Sequence, residues 1–141
     1  MEDDKLLYTA ESKWWFKGFN VFAPLGNKVM DVYKPFSFMH SKFNISVGDQ
    51  EIASVRRKIK FFNSEIEIFT QEHDYRVVGN IWDTDFTIER DDFEIAKISR
   101  KTFRSKNKYG IACQENADIK LIIGISLVIE LIIRIKRASR S

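Results

Sequence analysis

Residues 43–58, FNISVGDQEIASVRRK, reappear as residues 86–101, FTIERDDFEIAKISRK, with matched positions 43 apart throughout (86 − 43, 95 − 52, 101 − 58) and no gap. Phe43/Phe86, Ile45/Ile88, Asp49/Asp92, Glu51/Glu94, Ile52/Ile95, Ala53/Ala96, Arg57/Arg100 and Lys58/Lys101 are identical. A looser third copy, FNVFAPLGNKVMDV, runs from Phe19 to Val32 with one extra residue in its turn. Each unit is an apolar-polar-apolar run, a Gly/Asp turn and a second short apolar run, which is the pattern of a β-hairpin. A chain that repeats one hairpin is restricted to folds built by laying copies of that unit side by side.

One segment departs from this pattern. Leu121 to Ile133, LIIGISLVIELII, is apolar on every side when wound as a helix, apart from Glu130 and the small Gly124 and Ser126. Crossing a bilayer takes about 20 apolar residues, whereas runs of roughly 10–14 belong to buried core helices. Asp118 and Lys120 before it and Arg134, Lys136 and Arg137 after it close the window, and Glu130 would be costly in lipid. Its β-branched residues leave a strand as the alternative. The spacing predicts a helix near residues 117–135, capped by Asn116 or Asp118, with its basic end facing the negative pole of the helix dipole. A helix apolar all round needs walls all round, and hairpins are the only walls on offer. A sheet closing around one helix meets that need and removes exposed strand edges.

The 141 residues fit one domain, by the prior of roughly 100–200 residues per domain. The expectation is a single domain over 1–141, and no low-complexity stretch divides it. Twelve Phe favour strands, where aromatics fit the pleat. Cys113 is the only cysteine, so an intrachain disulfide is excluded and a reducing compartment is expected. The start, MEDDKLLYTAESK, lacks the basic and apolar regions of a signal peptide, which points to the cytosol.

Reactive constellations are missing. His40 and His73 are the only histidines, and neither has zinc-ligand spacing to Cys113. The six glycines are scattered, with no phosphate-cradling loop, and no nucleophile elbow occurs. A triad built on His73 and Asp74 has no identifiable serine. The acidic runs Asp83-Thr84-Asp85 and Glu89-Arg90-Asp91-Asp92 lack the glycine and terminal Glu of a calcium loop, and the repeat puts Asp91-Asp92 in a hairpin turn. No catalytic residue, cofactor or metal is expected.

The net charge of +3 is small, but its distribution is uneven. Residues 72–94 hold Glu72, Asp74, Asp83, Asp85, Glu89, Asp91, Asp92 and Glu94 against Arg76 and Arg90. Residues 97–108 hold Lys97, Arg100, Lys101, Arg104, Lys106 and Lys108 with no acid. Blocks of one sign form a patch only if the strands bring them to one surface. Trp14, Trp15, Phe16, Phe19 and Phe22, interleaved with Lys13 and Lys17, suit a packed strand, a base-stacking surface or an interfacial membrane anchor.

The ordered set Phe86-Thr-Ile88, Asp91-Asp92, Glu94-Ile95-Ala96-Lys97-Ile98-Ser99-Arg100-Lys101, Lys108-Tyr109-Gly110-Ile111 and the apolar segment ending Val128-Ile129-Glu130 resembles the LURP-one-related family. That family belongs to the tubby C-terminal-like group, with the phospholipid scramblases as relatives. The likeness runs from about Leu7 to Ile133 and departs at Glu130, where the pattern has Asp. It implies a mainly β fold, a closed antiparallel β-barrel of about twelve strands enclosing the C-terminal helix.

Tubby domains bind phosphoinositide headgroups through basic residues, and scramblases use a calcium-responsive segment near the helix. No individual lipid-contacting residue of the tubby domains maps onto this chain, and the tail Lys136 to Ser141 has no acidic cluster to hold calcium. The resemblance implies a non-enzymatic binding module for an anionic membrane surface or phosphoinositide-like headgroup, cytoplasmic or peripheral to the membrane. The candidate contacts are Arg100, Lys101, Arg104, Lys106 and Lys108, with Arg56, Arg57 and Lys58 from the sister repeat. The alternatives are a nucleic-acid binder, which the acidic 72–94 stretch opposes, and a small-ligand carrier or enzyme at the barrel mouth, where the helix leaves little room.

Overall fold

In the computed structural model the described residues are 8–13, 17–35, 42–59, 64–79, 85–99, 110–113 and 118–139. They form β1 (Thr9–Ser12), β2 (Gly18–Phe22), β3 (Lys28–Tyr33), β4 (Lys42–Val47), β5 (Gln50–Ile59), β6 (Ser64–Phe69), β7 (Asp74–Val78), β8 (Asp85–Arg90), β9 (Phe93–Ser99), β10 (Gly110–Cys113) and α1 (Ile119–Ser139). Each strand pairs antiparallel with the next in the chain, so the ten form a meander in sequence order.

The three repeats are β2–β3, β4–β5 and β8–β9. Gly48 and Asp49 join β4 to β5, and Asp91 and Asp92 join β8 to β9. Asp91 and Asp92 have φ of 52° and 67°, the paired left-handed conformation of a type I′ turn, whose twist matches that of the flanking strands. Asp tolerates this conformation better than most residues because its short side chain bonds locally.

A second feature recurs at equivalent positions. The ladders slip between Val21 and Phe22, between Ile45 and Ser46, and between Ile88 and Glu89, leaving Val29, Ile52 and Ile95 without a direct partner. Each is followed by an inward residue, Met30, Ala53 or Ala96, that is almost fully buried. The same bulge, which sharpens strand twist, therefore bends all three hairpins.

Inner positions alternate along every strand from β2 to β9. Phe19, Val21, Met30, Val32, Phe43, Ile45, Val55, Ile66, Ile68, Val77, Phe86, Ile88 and Ile98 share one core with α1. On α1, residues 124–133 are buried without a break, and at about 3.6 residues per turn that run covers every side of the helix. A helix buried on every side is what the apolar pattern predicts, and the strands nearest to it are β2, β3, β4 and β5. Asp118 caps the helix: its Oδ1 accepts from the Leu121 amide at 3.3 Å. Ser126 donates to the Ile122 carbonyl at 2.9 Å, so this hydroxyl is satisfied inside the core. Glu130, also buried, accepts from Arg134 Nε at 2.7 Å.

The expected closed barrel of about twelve strands corresponds to ten described strands in open order, with no pairing between β10 and β1 among the described residues. Both of these strands are only four residues long, and β1 is exposed throughout. The helix starts two residues later and ends four residues later than the expected 117–135.

Candidate functional site

A meander puts successive connections at alternate ends of its sheet. Residues 23–27, 48–49, 70–73 and 91–92 therefore cluster at one end, here the turn end, and the connections after β1, β3, β5, β7 and β9 leave from the other. The helix follows the same axis. Gly124 stands against Ile45, near the β4–β5 turn, whereas the Arg134 guanidinium lies 5.2 Å from the ring of Phe19, next to the far end of β2. The C-terminal turns of α1 therefore emerge at the end opposite the turns.

This arrangement sorts charge. At the turn end the exposed acids Asp49, Glu51, Glu72, Asp74, Asp91, Asp92 and Glu94 outnumber the bases Lys28, Arg76, Arg90 and Lys120. At the opposite end stand Lys17, Lys34, Lys42, Arg57, Arg134 and Arg137, with Glu130 held by Arg134. The strand starts there also carry Glu65 and Asp85. The Lys34 amide donates to the Lys17 carbonyl at 2.9 Å and ties the ends of β2 and β3 together.

The candidate contacts divide over this frame. Arg56 is exposed on the outer face, opposite Glu67 in the ladder, with its guanidinium 5.9 Å from the Phe69 ring. Arg57 follows the inward parity of Ala53 and Val55, opposite buried Ile66, and is half-buried. Burial lowers its guanidinium pKa from the usual value, and an arginine stays charged at neutral pH regardless. Neighbours in sequence thus look to opposite faces of the sheet. Lys58 pairs with Glu65 in the backbone register. Arg100, Lys101, Arg104, Lys106 and Lys108 lie outside the described residues, as do Trp14, Trp15, Phe16 and His40. The residues flanking 100–109, Ser99 and Gly110, pair with each other at the basic end.

The outer face elsewhere is stitched by ion pairs. A shallow depression of about 250 Å³ over β6–β8 is lined by Glu67, Phe69, Asp74, Arg76, Glu89, Asp91 and Asp92. Arg76 spans it, with Nη2 3.1 Å from Glu89 and 3.4 Å from Asp92. His73 Nδ1 is 3.8 Å from Asp91, and its backbone closes the 70–73 turn on the Thr70 hydroxyl. No group of three or more His, Cys, Asp or Glu among the described residues is placed to hold a metal ion. No helix among them is long and apolar enough to cross a membrane.

On the outer face of β3, Asp31 receives Lys28 Nζ at 2.9 Å and Lys13 Nζ at 3.1 Å. Burial alone pushes the Asp31 carboxyl up, but the two ammonium groups outweigh it and hold the pKa below the ordinary value. A folded-state pKa below that of the unfolded chain stabilises at pH above the unfolded value and is lost as pH falls through the folded one. Asp31→Asn is therefore expected to be less stable than wild type at neutral pH, with the gap closing below about pH 4. Urea melts at stepped pH check this, and a gap independent of pH would contradict it.

No curated protein matches the chain. Among solved structures the fold is similar to the X-ray structure of a protein from Arabidopsis thaliana, at 15% identity and a TM-score of 0.51, over 89% of this chain and 90% of that one. At that identity the likeness speaks to the fold alone. Residues 1–130 match the model of the LURP-one-related family, and the chain belongs to that family.

Proposed function

We propose that the protein is a non-enzymatic binding module that meets anionic lipid headgroups, of the phosphoinositide type, through the basic end of its sheet. The observation that carries this reading is the sorting of charge along the strands. A molecule polarised in this way is drawn base-end first to a negative surface, and each Lys or Arg near an anionic leaflet contributes about 1 kcal/mol. The described part of that end is Lys17, Lys34, Lys42, Arg57, Arg134 and Arg137. The segment with Arg100, Lys101, Arg104, Lys106 and Lys108 joins two strand ends at the same place. The tubby-like resemblance supports the same class of partner by analogy. The reading needs no metal or cofactor, and it puts the protein in the cytosol, peripheral to a membrane. It also takes the curled sheet as a complete barrel of about twelve strands, since an open ladder leaves backbone groups of β1 and β10 unpaired.

Flotation with phosphatidylcholine vesicles, with and without phosphatidylinositol phosphates, tests this at two salt concentrations. Binding to the anionic vesicles only, weakened by salt through screening, is expected. Arg104→Glu, Lys106→Glu and Lys108→Glu together, or Lys17→Glu with Lys42→Glu, should abolish it while leaving the circular dichroism unchanged. Equal binding by those variants, or binding to neutral vesicles alone, would sink the reading. A gel shift of single-stranded nucleic acid without vesicle binding would favour the rival polyanion.

A further inference from the structure

Two phenylalanines at the turn end stand outside the core. Phe69 follows buried Ile68 on β6 and so looks outward, 37% exposed, across the ladder from Asp74. Phe93, at the start of β9, is 75% exposed. The repeat shows that the hairpin itself does not call for an aromatic there. The matching residue of β4–β5 is Gln50, also exposed, which pairs with Val47 as Phe93 pairs with Arg90. Phe69 lines the depression over β6–β8, and so do Asp91 and Asp92, the turn that leads into Phe93. Among the described residues, its lining holds the carboxylates of Glu67, Asp74, Glu89, Asp91 and Asp92 and one guanidinium, that of Arg76.

The chain's own side chains show what this surface accepts. The Arg56 guanidinium stands 5.9 Å from the Phe69 ring, and Arg76 Nη2 lies 3.1 Å from Glu89 and 3.4 Å from Asp92. One cation is held by an aromatic ring and the other by carboxylates. The carboxylates of the lining still exceed its cations, and the side chains of Asp91 and Asp92 are 68% and 89% exposed. We propose that the turn end docks a basic, arginine-bearing segment of a partner protein, which lies along the depression and crosses the 91–92 turn onto Phe93. Guanidinium groups of the partner meet the carboxylates, which a planar fork of donors matches in geometry. Apolar side chains of the same segment cover Phe93, since buried aromatic anchors carry much of the energy of such interfaces. Nucleic acid and acidic segments are repelled from the same surface. This site stands at the end of the sheet opposite Lys17, Lys42 and Arg57, so it does not rest on the lipid-binding reading.

The repeat supplies a matched control for the test. Fluorescence anisotropy follows binding of a short fluorescein-labelled peptide that alternates arginine and leucine, beside a copy with neutral citrulline for arginine. The arginine peptide should bind the wild type and the citrulline peptide should not. Phe93→Gln, which installs the residue of the sister hairpin, should weaken binding at least about tenfold. Asp92→Asn with Glu94→Gln should do the same, whereas Asp49→Asn with Glu51→Gln, the equivalent pair of the other turn, should cost less than about twofold. All these positions are exposed, so unchanged circular dichroism is expected throughout. Equal losses from the two carboxylate pairs would mean attraction to charge at large and overturn the site. So would full binding by Phe93→Gln, or no binding of the arginine peptide to the wild type. The Phe93→Gln protein should float with anionic vesicles as the wild type does. A loss confined to flotation would put Phe93 against lipid and overturn the protein partner.

Discussion

Gly124→Leu is expected to lower stability by about 3 kcal/mol, which for a chain of this length is a fall of roughly 10 °C in Tm. A Cβ at position 124 would stand 2.9 Å from both Cδ1 and Cγ2 of Ile45 and 3.3 Å from its Cγ1. Ile45 is fully enclosed, and its branched Cβ leaves few rotamers to retreat into. Replacing a helical Gly by Ala gains up to about 1 kcal/mol in propensity, but here the overlap outweighs that gain, so Gly124→Ala should destabilise as well. Leu adds three more carbons with nowhere to go. The contact can be isolated with a double-mutant cycle. Ile45→Ala alone should cost about 2–5 kcal/mol through the cavity that it leaves. In that background Gly124→Leu should be milder by at least about 1 kcal/mol, because contacting residues couple. Additive effects in urea melts, or an unchanged midpoint for Gly124→Leu, would show that the helix does not pass this close to β4.

The second large effect is at Gly18. Its φ of +144° lies where L side chains are strained, and an added Cβ would fall 1.8 Å from the Val32 carbonyl oxygen and 2.8 Å from the Tyr33 Cα. Both are backbone atoms, so no rotamer change relieves the overlap. The expected loss for Gly18→Ala is about 3 kcal/mol or more, from backbone strain and overpacking together. Gly26 separates these two causes. Its φ is +99°, yet nothing lies within 4 Å of its missing Cβ. Gly26→Ala should therefore show the conformational part alone, near 1 kcal/mol. Thermal melts giving equal losses at the two sites would contradict the close β2–β3 approach at Gly18.

The hairpins were legible because repetition fixes register as well as type. Once 43–58 and 86–101 align without a gap, their turns, inner faces and lengths must agree, and β4–β5 and β8–β9 do. The bulge also has a signal in the chain: Val29-Met30, Ile52-Ala53 and Ile95-Ala96 are adjacent apolar pairs where strict alternation allows one. The helix was legible from its all-round apolarity, but its C-terminal limit was not, since Ile135 and the basic residues after it continue the helix into solvent. Strand number was set by the family resemblance rather than by the residues. For the basic residues, sequence blocks misled in one respect. Arg56 and Arg57 look like one patch in the chain, yet a strand turns them to opposite faces. The axial sorting of charge was hidden for a related reason. It depends on which connection falls at which end, and that appears only once every strand is counted in order.

The place of α1 in the chain has a consequence for how the molecule is made. The helix follows all ten described strands in the chain, and its close contact at Ile45 joins residues 79 positions apart (124 − 45). Hairpins can form early because their partners are neighbours, but their apolar inner faces have nothing to cover them until residues 119–139 arrive. Burial of those faces therefore depends on contacts of long sequence separation. Long-range closures of this kind slow folding and leave transient species prone to aggregate. During synthesis on the ribosome, the sheet must wait for its last partner, and this interval is when a chaperone has something to hold.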